Sequence, residues 1–147
     1  MGNGAVALLT LVAGIAGALQ VAVMGRFGER VGVFEALTFS TLLTAALALG
    51  TLLVVRRGVG GFGAAFHQPA WLLTGGIWGA FVVLTITVAA PRIGTFATIG
   101  IFLAGQLAMG VAIDRWGLFG LAKIPLAAPR VVGLVLLAVG AVLTLRK

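Results

Sequence analysis

The sequence predicts an all-α membrane protein, and three observations carry that prediction. Of its 147 residues, 61% are hydrophobic and only 9% are charged. A soluble domain carries about a quarter charged residues, so this chain lacks the polar side chains to cover a water-facing surface. Its apolar residues fall into five long runs bounded by charge, four of them of 21 residues or more. A 21-residue helix rises roughly 31 Å, about the hydrocarbon thickness of a bilayer. The runs show no alternation of apolar and polar residues, so a strand barrel does not fit. Helices remain for a backbone with no water to bond to.

The first run is Ala5–Gly25, followed by Arg26, Glu29 and Arg30. It has no basic segment before it and is too long for a signal-peptide core, so it reads as a retained helix. The second, Val31–Val55, stops at Arg56–Arg57. A glycine-rich connector, Gly58–Pro69, leads to Ala70–Ala90, and Pro91–Arg92 marks a tight break. The fourth run, Ile93–Ile113, ends at Asp114–Arg115. The last, Val131–Leu145, has fifteen residues, short for a span unless Ala127 and Ala128 extend it while Arg130 snorkels. The expectation is one transmembrane domain over 1–147 with helices near 5–25, 31–55, 70–90, 93–113 and 129–145. The alternative is four helices and an interfacial tail.

The net charge of +7 comes from ten Lys/Arg scattered at segment ends against three acids. No basic cluster is interleaved with aromatics, so the balance does not point to nucleic acid. With no cysteine there are no disulfides or thiolate sites. Five spans place Arg56, Arg57, Arg115, Lys123 and Arg130 on one side, and Arg26, Arg30, Arg92, Arg146 and Lys147 on the other. Lys/Arg asymmetry normally sets orientation. Here it is absent, and one gene can insert both ways.

Polar residues recur on single helix faces at three- and four-residue spacing. The first helix carries Thr10, Ala13, Gly17, Gln20 and Met24; the third, Trp71, Thr74, Trp78 and Thr85; the fourth, Thr95, Thr98, Phe102, Gln106 and Met109. From these, Gln20, Trp78, Thr98, Phe102 and Gln106 are the candidate substrate-binding residues. The competing reading is packing. Threonine often bonds its own helix backbone, and glutamine bonds across helices as glue. Trp78 can fill space beside glycines or offer its ring face to a cation. Small residues four apart, Ala13–Gly17, Gly75–Gly79, Gly76–Ala80 and Gly100–Ala104, favour close helix packing without saying which helices meet.

The charged candidates lie near span ends. Glu35 sits at the start of the second helix, where the dipole favours a carboxylate, and is also a candidate proton or cation site. Asp114 with Arg115 reads as an interfacial ion pair closing the fourth helix. Enzyme chemistry has little to stand on: the single His67 is in the connector, Ser40 has no histidine beside it, and no metal-ligand or cofactor-binding spacing occurs. GVGGFG at Gly58–Gly63 follows a helix and two arginines, not a strand, and reads as connector.

Two stretches carry a family resemblance: ALQVAVMGRFGERVG at the exit of the first helix, and AAPRIGTFATIGIFLAGQLAMGVAIDRWGLFG across the fourth. Together they resemble the YdcZ-type family of unknown function, five-helix bacterial inner-membrane proteins near the drug/metabolite transporter superfamily. The likeness extends over nearly the whole chain. It implies a multi-pass half-size exporter of the inner (plasma) membrane that pairs with an inverted copy of itself or of a paralogue. Met24, where asparagine is usual, Arg115, where histidine is usual, and Glu35, where an apolar residue is usual, depart from the family pattern.

The residues and the resemblance together lead to a secondary transporter of an unidentified small molecule, an inverted dimer with alternating access. The alternatives are a passive dual-topology channel and a non-transporting assembly subunit. Inversion gives the glutamines a use, since Gln20 of one copy comes to a depth similar to Gln106 of the other, and Glu35 to that of Asp114–Arg115.

Overall fold

The computed structural model describes residues 2–125 and 127–143. Among them are helices, short 3₁₀ turns and connecting loop, with no strand. Helix α1 is Asn3–Val31, α2 Val33–Arg56, α3 Ala70–Leu73, α4 Gly75–Ile93, α5 Thr95–Trp116 and α6 Ala128–Leu143. α1, α2, α5 and the stretch Ala70–Ile93 are each long and apolar enough to cross a membrane. α6 contains a shorter apolar segment, Val131–Leu143. The expected end of that span at Leu145, with Arg146 and Lys147, lies outside the described residues.

Two expected helix ends fall elsewhere. α1 does not stop at Gly25 but runs through its charged exit to Val31. Charge does not break a helix. Arg26 donates to Glu29 at 2.9 Å one turn on, and Arg30 in the last turn complements the dipole. Likewise α4 continues past Pro91–Arg92 to Ile93. Pro91 falls in the final turn, where its missing N–H removes only the bond to the Thr87 carbonyl. The helices are separated instead by single glycines. Gly32 has φ +105° and Gly94 φ +86°, values that only glycine adopts without steric cost.

The third span is interrupted once. Both the N–H and the hydroxyl of Thr74 donate to the Trp71 carbonyl, at 3.3 and 2.7 Å, tightening one turn before α4 resumes. α5 ends at Gly117, whose left-handed conformation (φ +63°) carries its N–H to the Ile113 carbonyl at 2.8 Å. The chain then folds back, and the Ile124 N–H donates to the Asp114 carbonyl at 2.8 Å.

The chain forms two compact units. One is Ala22–Pro91; the other joins the residues up to Val21 with those from Arg92 onward. In the first, the end of α1 lies against the end of α4. A Cβ added at Gly25 would come within 2.9 Å of the Ala90 Cβ, and one at Gly28 within 2.5 Å of the Thr87 Cγ2. Met24, Ala36, Ile86, Thr87 and Ala90 are buried there, and Phe27 meets Phe39 edge-on with centroids 5.7 Å apart. In the second unit α5 packs on α6, with Ala97, Thr98 and Ala141 buried. The small-residue pair Gly75–Gly79 and the residues Gly17 and Gly76 have open space where a Cβ would stand. The close approach falls at Gly25 and Gly28 instead.

Candidate functional site

A cleft of about 380 Å³ lies between α5 and α6. Gln106, Gly110 and Asp114 recur every fourth residue along α5, so the helical period sets them on one face. Leu107 and Val111 flank them, and Gly133, Leu134 and Leu137 of α6 form the opposite wall. Neither Gly110 nor Gly133 has an atom within 4 Å of where its Cβ would be; the glycines make the room. Gln106 and Asp114 lie eight residues apart, roughly 12 Å along the axis. An apolar slot with an amide and a carboxylate at two depths can seat an amphipathic small molecule, and its volume is within the usual range for such ligands.

A shallower groove of about 370 Å³ runs along α2, lined by Phe34, Glu35, Thr38, Phe39 and Leu42. Glu35 is exposed in the first turn of α2, where its charge complements the dipole.

Of the sequence-derived candidates, Gln106 and Asp114 are brought together and Glu35 has its own groove. Gln20 and Trp78 line neither cleft; both are exposed, Trp78 by 65%. Phe102 is half-buried on α5, and Arg115 is exposed beside Asp114. Thr98 is buried, and its hydroxyl donates to the Gly94 carbonyl at 2.8 Å. Thr10 and Thr85 bond back four residues in the same way, at 2.9 and 2.8 Å. Their hydrogens are thus occupied within their own helices. Sequence reasoning missed Gly110 and the whole α6 wall. The spacing Gln106–Gly110–Asp114 was available as a signal; the identity of the facing helix was not.

Helices of membrane-spanning length, with apolar side chains turned outward along them, define a multi-pass helical membrane protein. Residues 5–143 match the family described as "Putative inner membrane exporter, YdcZ", and the chain belongs to that family. It is 32% identical over 119 residues to the inner membrane protein YdcZ of Escherichia coli (strain K12), covering 75% of this chain and 79% of that one. No solved structure matches. The protein is an integral protein of the bacterial inner membrane, and the description of its family is that of a membrane exporter rather than of an enzyme.

Proposed function

We propose that this protein is a half-size secondary exporter of small molecules that works as an inverted dimer with five spans per subunit. The observation that carries the proposal is the match to an exporter family over residues 5–143. Three further features support it. The most apolar eighteen-residue stretch of each of the four long spans buries at most 11% of its residues within the single chain, which leaves most of that surface for lipid and a second subunit. With five spans, the ten Lys/Arg divide five to each side, so insertion in both orientations costs little. Gln20 lies eleven residues from the end of α1 (20 to 31) and Gln106 ten from the end of α5 (106 to 116). Those ends lie on opposite sides in a five-span chain, so inversion brings the two amides within about 2 Å in depth at 1.5 Å per residue.

In this reading two related subunits of opposite orientation exchange inward- and outward-open shapes about a shared central path. The partner is an inverted copy or a paralogue, and the α5–α6 cleft with Gln106 and Asp114 supplies the substrate contacts. Two measurements test it. A reporter fused after Lys147 should show both cytoplasmic and periplasmic populations, and two or three arginines added to one side should bias them. In vesicles, ethidium and a panel of small metabolites should include at least one solute with saturable flux driven by a proton gradient. Electrical current without saturation supports a channel instead, and a single fixed orientation rules out the homodimer.

A further inference from the structure

Gly32 and Gly94 share one backbone conformation, φ +105°, ψ 149° and φ +86°, ψ 154°, in a region used almost only by glycine. Their settings also match: Arg30-Val31-Gly32-Val33-Phe34 and Arg92-Ile93-Gly94-Thr95-Phe96. The likeness continues upstream without a gap. The shift that carries Gly32 onto Gly94 lays Leu11, Gly14, Ile15, Gly17, Ala18 and Val21 on Leu73, Gly76, Ile77, Gly79, Ala80 and Val83, each on its own residue type.

Burial follows the same shift. Met24, Gly25, Gly28 and Ala36 are buried, and so are their counterparts Ile86, Thr87, Ala90 and Thr98; the exceptions are Val21 and Ala97, buried where Val83 is half-buried and Glu35 exposed. Gly14 and Gly17, like Gly76 and Gly79, have open space where a Cβ would be. The contacts are reciprocal as well. Gly25 lies against Ala90, and Gly28 against Thr87. Since the shift turns Gly25 into Thr87 and Gly28 into Ala90, it converts each contact into the other. A two-fold interface has this property, with one residue meeting a second and the second's equivalent meeting the first's. Any two crossing helices that touch at residues three apart are reciprocal under some shift; here that shift (87 − 25 = 62) is the one that the sequence itself sets (94 − 32 = 62).

We infer that the chain contains two copies of one helix–glycine–helix segment, α1–Gly32–α2 and α4–Gly94–α5, whose first helices cross about a local two-fold axis formed by Gly25, Gly28, Thr87 and Ala90. In a five-span chain both first helices run towards the same side, so the copies are parallel, with the axis along the membrane normal. This internal repeat is separate from any inverted pairing of whole chains and does not depend on export. It also sorts the side chains. The corners and the upstream helix faces match between copies and the crossing keeps small buried residues of differing type, whereas the chemically distinctive side chains have no like counterpart: Gln20 corresponds to Val82, Trp78 to Ala16, Glu35 to Ala97, Gln106 to Thr44 and Asp114 to Leu52. Functional groups stand singly on a duplicated frame.

Three measurements test the repeat, all without a substrate, so their outcome is independent of the exporter reading. The chain has no native cysteine, so oxidation in native membranes should cross-link Gly25→Cys with Ala90→Cys and Gly28→Cys with Thr87→Cys. The off-register pairs, Gly25→Cys with Thr87→Cys and Gly28→Cys with Ala90→Cys, should link at least several-fold more slowly. In detergent, Gly28→Ala should lower the melting temperature and Thr87→Ser should restore it; Gly25→Ala should lower it and Ala90→Gly should restore it, with no rescue by the crossed combinations. A chain made more symmetric by Gln20→Val, Glu35→Ala, Trp78→Ala and Gln106→Thr should fold and melt like the native one. Equal cross-linking of all four cysteine pairs, rescue by either second change alike, or loss of folding in the symmetric chain overturns the inference.

Discussion

At the crossing of α1 and α4, Gly25 and Gly28 omit a side chain so that another helix can lie against their backbone. On the walls of the α5–α6 cleft, Gly110 and Gly133 omit it and nothing takes its place. The same residue thus serves closure in one unit and opening in the other. The polar groups differ in the same sense. Thr87 at the crossing is buried, and its hydroxyl donates to the Val83 carbonyl at 2.7 Å, leaving a surface that behaves as apolar. Gln106 in the cleft is exposed, and its amide has donors and acceptor to offer a ligand. The lesson for a glycine-rich membrane chain is that counting small residues does not find its interfaces; what lies opposite each one does.

The largest effect should come from filling both regions with the same side chain. Gly28→Leu drives a branched side chain into Thr87 and should cost about 3 kcal/mol or more, removing most folded protein in detergent unfolding assays. Gly110→Leu meets open space and should change stability by less than about 1 kcal/mol while occluding the cleft. Similar losses from both would break the comparison.

The corners come next. Gly32→Ala and Gly94→Ala force a Cβ into a glycine-only conformation and should each destabilise by about 1–3 kcal/mol. The two losses should match within about 1 kcal/mol, because the two backbones do. The same unfolding assays read this.

A smaller effect on stability, but a larger one on function, is expected in the cleft. Gln106→Ala should leave the folded fraction unchanged and lower the saturable flux about tenfold, equivalent to about 1.4 kcal/mol. Parallel loss of fold and flux would make Gln106 packing rather than lining. The smallest effect belongs to Arg26 and Glu29, whose side chains are largely exposed. Glu29→Gln should shift stability by no more than about 0.5 kcal/mol.

Much of this was open to reading from the chain alone, because burial in lipid imposes long apolar helices and leaves charge only at their ends. The four long spans and the weakness of the fifth follow from that constraint, whereas the family resemblance rests on the particular residues of two stretches, Ala18–Gly32 and Ala89–Gly120. The helix ends were less legible at Gly25 and Pro91, since charge and a last-turn proline mark a membrane face or a weak turn without stopping a helix. The stops are Gly32 and Gly94, where the backbone itself turns. Of the candidate site, Gln106 and Asp114 were visible as polar residues on an apolar helix, and their common face follows from the helical period. That α6 faces them, that Thr98 turns its hydroxyl to its own carbonyl and that Gly28 meets Thr87 were decided only in three dimensions. Helical period fixes the angle of a side chain around its own axis, whereas the neighbour it meets depends on how separate helices settle against one another, a choice among many close packings of similar apolar surfaces.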